Sequence, residues 1–276
     1  MGDSGTYQNI ISVVILIIAM EASVIAEGNP YLFAVAPYTN CPEPHKGITL
    51  CTQYACSLPF SQRAQFENKQ IAQLKTLGNS FGVFQCQKSS IVNFAKGASF
   101  LGAVIGFSVT GIIADNYGRR KILIILQTIG TFGFLLVLFA PDIYVVALGM
   151  FLAAAGVQSS YGIAFSVLKE VLSNSKRQKM EVLAQTVVLL GVLGVIGLFY
   201  FFKDWRIIFW LYLVLPLGIA YFLTVFFFVE TPQYLIRLNS VDYIRKQLRF
   251  MATLNGKVDN FDQNPILSEE SIKKLK

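Results

Sequence analysis

The amino-acid sequence predicts an all-α integral membrane protein whose fold is a bundle of six transmembrane helices. Of its 276 residues, 54% are hydrophobic and only 14% are charged, whereas a soluble domain carries about 25% charged residues. So few charges cannot cover a water-facing surface of this size, which excludes a disordered chain, a fibrous repeat and a cytosolic enzyme fold. The length accommodates about six spanning helices with their loops and leaves little for a large soluble domain.

Six apolar stretches account for the predicted number of helices. Each is about 18–26 residues long, which is enough to cross a hydrocarbon core of about 30 Å as a helix. Their ranges are 10–27, 91–114, 122–140, 143–168, 180–202 and 207–229. They lack the alternation of apolar and polar residues that is typical of barrel strands, which argues against a transmembrane barrel.

The spans divide the chain into four predicted segments. Residues 1–27 form the N-terminus and the first transmembrane helix, and residues 28–90 form an outside or lumenal loop that contains cysteines. Residues 91–229 contain transmembrane helices two to six. In residues 230–276, apolar residues recur at helical spacing among basic ones, which predicts an inside amphipathic helix followed by a polar tail.

Basic residues in the short loops predict that both termini lie on the inside. The short loops on the other side hold only two basic residues. The loops after the second and fourth spans hold seven, which are Arg119, Arg120, Lys121, Lys169, Lys176, Arg177 and Lys179. The net charge of +7, from 23 basic and 16 acidic residues, therefore reflects topology and contact with the lipid bilayer. No run combines basic and stacking aromatic residues as single-stranded nucleic-acid binding requires, so no nucleic-acid partner is predicted.

All four cysteines, Cys41, Cys51, Cys56 and Cys86, fall in the outside loop. An even number of cysteines in one non-cytosolic loop predicts one or two disulfides, with the pairing left open. Zinc binding is the competing interpretation, but the loop has no CxxC spacing and His45 is the single histidine of the chain. The sequence therefore predicts disulfides and no metal site.

The residues after the second span read G-I-I-A-D-N-Y-G-R-R-K, from Gly111 to Lys121. They resemble the signature of the major facilitator superfamily, G-xxx-D-R-x-G-R-R/K, which lies at the cytosolic end of that fold's second helix. After the sixth span, the residues E-T-P-Q-Y-L-I from Glu230 to Ile236 resemble the E-S-P-R-W-L-I segment of the organic cation and anion transporters. The resemblance covers most of residues 91–238 and implies only the amino-terminal, six-helix half of that family's twelve-helix fold.

The resemblance implies a charge latch that closes the inner face during alternating access. Its residues here are Gly111, Asp115, Gly118, Arg119, Arg120, Glu170, Arg177 and Glu230. Three family arginines are replaced, by Asn116, Met150 and Gln233. Neither an amide nor a thioether supplies the bidentate, charge-assisted bonds of a guanidinium. We therefore expect the latch to be relaxed.

The resemblance also places Tyr161, Phe165 and Gln185 in the central cavity, where aromatic faces can hold an organic cation. Gln158 adds a polar group on the same stretch, and the alternative is that these side chains only pack between helices. Glu21 is an ionisable residue inside the first span, which makes it a candidate for binding a cation or a proton. The competing interpretation is an ion pair of Glu21, or of Glu27, with Lys96 of the second span.

Catalytic constellations are absent from the sequence, which predicts neither an enzyme nor a cofactor. It holds no nucleophile elbow, no phosphate-binding glycine loop and no zinc spacing. Two functions remain. The first is transport of a small organic ion by a major-facilitator half, acting within a longer protein or with another six-helix unit. The alternative is a non-transporting structural subunit of a larger membrane complex.

The type of membrane is predicted only broadly. A loop with disulfides on the outside suits the plasma membrane or an endomembrane. The same loop has no Asn-x-Ser/Thr sequon, which leaves the mitochondrial inner membrane open as a location.

Overall fold

A computed structural model describes residues 5–28, 32–33, 38, 41–43, 48–59, 62, 65, 77, 86, 89–231, 234 and 241–256. Within these ranges, six helices are long and apolar enough to span a membrane. The predicted class, an all-α integral membrane protein with six transmembrane helices, is confirmed.

The first five spans are single helices; the long loop with the cysteines follows the first span, and short turns join the others. Together with the short helix α2 of the outside loop, they are α1 (Thr6–Glu27), α2 (Ile48–Ser57), α3 (Ser89–Tyr117), α4 (Arg119–Leu138), α5 (Ile143–Val171) and α6 (Asn174–Phe202). Helices α3 and α6 begin before the predicted apolar stretches, because polar residues add turns at their amino ends. An amphipathic helix, α9 (Val241–Leu254), follows the last span, and its residues Ile244 and Met251 are buried.

The sixth span is a composite of three segments: α7 (Trp205–Ile208), a π-helix (Phe209–Val214) and α8 (Leu215–Phe227). The π segment immediately precedes Pro216, which lies in the first turn of α8. A proline inside a regular α-helix lacks the N–H donor and clashes with the carbonyl four residues earlier. The wider π turn accommodates Pro216, so the apolar stretch continues through the proline as one membrane span.

Helix α5 lies at the centre of the bundle and packs against α1, α3 and α4. It approaches α4 closely at Gly156, where an added Cβ would collide with the backbone nitrogen of Gly130. Small residues at helix contacts let the backbones approach closely, which is how membrane helices associate. By contrast, α3 and α6 are mostly exposed along their lengths, so the bundle presents two largely uncovered helices.

Two disulfides organise the outside loop. Cys41 pairs with Cys51, with their Cα atoms 5.4 Å apart, and Cys56 pairs with Cys86, with their Cα atoms 5.3 Å apart. All four sulfur atoms are therefore occupied, and none is free to ligate zinc. His45 lies outside the described residues.

Candidate substrate face and inner charge cluster

Arg119 is the centre of a charge cluster beside the turn between α3 and α4, here called the Arg119 cluster. Its guanidinium donates to a carboxylate oxygen of Glu170 at the end of α5, and it lies 3.5 Å from Oδ1 of Asp115 at the end of α3. The side chains of Arg119 and Glu170 are 18% and 12% exposed, so their bond is shielded from water. Charge-assisted bonds of this kind are stronger than neutral ones. Arg119 thus connects the adjacent ends of three helices.

Arg120 connects the same turn to the end of the sixth span. Its backbone N–H donates to Oε2 of Glu230 at 3.2 Å, and its Nη2 donates to the carbonyl of Val225 at 2.7 Å. Glu230 is only 2% exposed. Burial raises the pKa of this carboxyl, and hydrogen bonds from the backbone N–H groups of Arg120 and Lys121 partly oppose that rise.

The two signature glycines have different roles. Gly118 has a φ of 99° between α3 and α4, and a Cβ built on it would lie 2.7 Å from Oε1 of Glu230. Both the left-handed backbone and the close approach require glycine there. At Gly111 an added Cβ would meet no atom within 4 Å, so no close backbone approach requires glycine at this position.

The residues at the predicted latch positions are not all brought together. Arg177 lies on α6 and pairs at 3.9 Å with Glu181 of its own helix, outside the Arg119 cluster. Asn116 is exposed at the end of α3, and Gln233 lies outside the described residues.

The expectation for Met150 was wrong. Met150 and Glu170 lie on the same helix, Ile143–Val171, and 20 residues at 1.5 Å per residue separate them by about 30 Å. Met150 is also 1% exposed, in the apolar core. An arginine at this position would not reach the Arg119 cluster, so Met150 does not stand in the place of a latch arginine.

A set of bonds between the amino end of α1 and the end of α9 was not predicted. Oδ1 of Asn255, which follows α9, accepts from the backbone N–H of Tyr7 at 3.0 Å, and its Nδ2 donates to Oε1 of Gln8 at 3.3 Å. The hydroxyl of Tyr7 accepts from the N–H of Val229 at 3.4 Å. The residue before α1 is Gly5, which has no side chain to cap the helix. The free N–H groups of the first turn therefore need an acceptor from elsewhere in the chain, and this is the signal in the sequence that could have indicated the bond.

The predicted cavity residues on α5 and α6 form one half-exposed stripe. Nε2 of Gln185 donates to the hydroxyl of Tyr161 at 3.4 Å, and the rings of Tyr161 and Phe165 are 5.9 Å apart. The ammonium of Lys169 lies 4.8 Å from the centre of the Phe165 ring. The aromatic face expected to hold an organic cation therefore already contacts a cation of the chain itself.

Gln158 joins α5 to α1, and Glu21 is buried one residue before the position on α1 that Gln158 contacts. Nε2 of Gln158 donates to the carbonyl of Ala22 at 2.6 Å. Glu21 is fully buried, and neither carboxylate oxygen has a hydrogen-bond partner among the described residues. The predicted ion pair with Lys96 is therefore not formed, because α1 turns Glu21 into the bundle.

The helix order, the glycine turn at Gly118 and the arginine cluster beneath it together define one six-helix unit of a major-facilitator transporter. The chain belongs to the sugar (and other) transporter family, whose model matches residues 54–270. This membership confirms the resemblance to the major facilitator superfamily.

Solved structures show the same fold. The chain is similar to the inward-open xylose transporter XylE from E. coli with a TM-score of 0.56 and 14% identity, covering 92% of this chain and 54% of that one. At this identity, the likeness supports the fold alone.

Curated relatives are named transporters. The chain is 26% identical over 192 residues to solute carrier family 22 member 3 of Mus musculus, a match that covers 67% of this chain and 34% of the relative. It is 26% identical over 182 residues to the D-xylose transporter of Levilactobacillus brevis, covering 64% and 38% respectively. The aligned part of the chain thus spans about a third of the length of these relatives.

Proposed function

We propose that this chain is the amino-terminal half of a solute carrier for small organic ions. In this proposal the solute contacts the stripe of Tyr161, Phe165 and Gln185. A second six-helix unit, in the same protein or in another, supplies the opposite wall, because alternating access needs two bundles around a midplane site.

The bond between Tyr161 and Gln185 is the observation that carries the proposal. Gln185 is exposed on α6, within a membrane span, and Tyr161 is half-buried on α5. Facing lipid, an amide and a hydroxyl would lose water without adequate compensation, which costs free energy. Their placement fits a water-filled cavity instead, between this bundle and a second one.

The contact between Lys169 and Phe165 bears on the charge of the solute. An organic cation that uses the Phe165 ring has to displace the ammonium, whereas an organic anion can pair with it directly. We therefore propose that Lys169 weakens the binding of an organic cation and strengthens the binding of an organic anion.

Glu21 is proposed to bind a coupling cation or a proton, and to make no contact with the solute. Its full burial within the bundle and its oxygens, which have no hydrogen-bond partner among the described residues, support this division. The comparison with xylose transporters is a likeness of fold and adds no solute to the proposal.

Solute binding and uptake by the reconstituted protein test the proposal. Tetraethylammonium and benzoate serve as probes of the two charges, with the variants Y161F and Q185L. Loss of one hydrogen bond is expected to weaken probe binding by about 5–10-fold. Tyr200→Phe and Thr186→Val are matched controls, because Tyr200 is 78% exposed at the end of α6 and Thr186 bonds to its own helix at 2.9 Å. If the two control variants weaken probe binding as much as Y161F and Q185L do, the proposed site is contradicted.

A structural subunit of a larger membrane complex is the second candidate. Asn116 favours it, because the exposed amide cannot make the bonds of the family's latch arginine. Native gel electrophoresis after mild solubilisation separates the two candidates. A species of about 60 kDa, twice the 30.7 kDa of one chain, supports a paired carrier. Migration with a large complex, together with no uptake, supports the structural role.

A further inference from the structure

A pocket of about 390 Å³ lies between the amino ends of α1 and α6. One wall is apolar and is formed by Val13, Leu16, Leu172 and Met180. The rim is polar, and it includes Lys176 and Lys179. None of the described residues that line the pocket is acidic.

The two lysines of the rim have no acidic partner among the described residues. Arg177, which lies between them in sequence, pairs with Glu181. Neither Lys176 nor Lys179 takes part in an ion pair within the described ranges. The rim is therefore positively charged and favours an anion.

The positions of the lining residues along two membrane spans suit a pocket at the depth of lipid headgroups. Helix α1 begins at Thr6 and α6 at Asn174, and the lysines occupy the first two turns of α6. Polar groups therefore face the membrane boundary, while Val13 and Leu16 lie deeper along α1. An amphiphile with an anionic head and an apolar tail matches this order of polar and apolar groups.

We propose that this pocket binds an anionic phospholipid of the leaflet on the side of the two helix starts. The phosphate contacts Lys176 and Lys179, and one acyl chain lies along Val13, Leu16 and Met180. The site is separate from the stripe of Tyr161 and Gln185, so this proposal does not depend on the proposed transport.

Native mass spectrometry of the purified full chain, titrated with phosphatidylglycerol or phosphatidylcholine, tests the proposal. We expect phosphatidylglycerol to bind more tightly. Each lysine contributes about 5-fold, so K176Q/K179Q is expected to lose about 25-fold in affinity. The control K203Q/K246Q removes the same charge outside the pocket and is expected to change affinity less than 2-fold.

A second variant tests the apolar wall without changing charge. Val13 is 48% exposed, so V13W fills the pocket from its open side and is expected to displace the acyl chain. Circular dichroism and gel filtration check that each variant is folded. Equal binding of the two lipids, or equal loss in both lysine pairs, would overturn the proposal. Displacement of phosphatidylglycerol by millimolar inorganic phosphate would assign the pocket to a soluble anion and would also overturn it.

Discussion

A Cβ on Gly118 would lie 2.7 Å from Oε1 of Glu230, so the turn between α3 and α4 is built directly against a buried carboxylate. Gly118 also has a φ of 99°. The positive φ and the close approach of Glu230 therefore constrain the same residue, and substitution tests whether glycine is required there.

Gly118→Ala is expected to destabilise the protein by about 1–3 kcal/mol, because it adds backbone strain and displaces Glu230. Gly111→Ala is the matched control in the same signature. Its Cβ meets nothing within 4 Å, so the variant is expected to be neutral or more stable by about 0.5–1 kcal/mol. Thermal unfolding in detergent measures both variants, and equal destabilisation would contradict the special role of Gly118.

Asn255→Ala removes the side chain that accepts from the N–H of Tyr7 at 3.0 Å. A lost cap costs about 0.5–2 kcal/mol. We therefore expect a lower Tm and faster proteolysis within α9, which loses its bond to α1. Asn9→Ala, at an exposed position of α1, is the control. Unchanged proteolysis of the Asn255 variant would show that α9 is held by its apolar face alone.

The bond between Arg119 and Glu170 can be tested by thermal unfolding of a variant that lacks the guanidinium, compared with a variant at a surface pair. Arg119→Gln leaves a carboxylate that is only 12% exposed without its partner, at an expected cost of about 1–3 kcal/mol. Arg177→Gln breaks a surface pair whose side chains are 37% and 33% exposed, and it is expected to cost less than about 0.5 kcal/mol. Similar costs at the two sites would argue against a shielded cluster.

The pH dependence of stability reports on Glu230. Burial raises its pKa above the ordinary value of 4.5, so the folded state binds this proton more tightly than the unfolded state. The stabilisation is complete below the unfolded pKa and is lost as the pH rises through the folded pKa. Relative to E230Q, we expect wild-type Tm to fall as the pH rises above 4.5. E27Q at an exposed carboxyl is the control, and parallel curves for wild type and E230Q would contradict the prediction.

Glu21 and Lys96 are expected to be energetically independent. Glu21 has no hydrogen-bond partner among the described residues, so the cycle of E21Q, K96M and the double variant should show a coupling below about 0.5 kcal/mol. Because glutamine fills the same volume without a charge, E21Q is expected to unfold no earlier than wild type. A coupling energy above 1 kcal/mol in the same cycle would show that Glu21 and Lys96 form an ion pair after all.

The sequence was sufficient for features that depend on local physical chemistry. Apolar stretches of membrane length predicted the spans, and the glycine before Arg119 marked the turn that gathers the inner charges. Features that depend on distance along a helix or across the chain were not predictable in this way. Met150 matched a motif position but lies about 30 Å along α5 from the latch. The pairing of Cys41 with Cys51, and the contact of Lys169 with Phe165, needed coordinates.

The bond between Asn255 and Tyr7 joins residues separated by 248 positions. At roughly 5–20 residues per second, a ribosome needs about 12–50 s to reach the second partner after the first. During that interval the amino end of α1 has been synthesised, with the Tyr7 N–H still lacking this acceptor. The first helix therefore gains this hydrogen bond only after residues that follow all six spans have been translated.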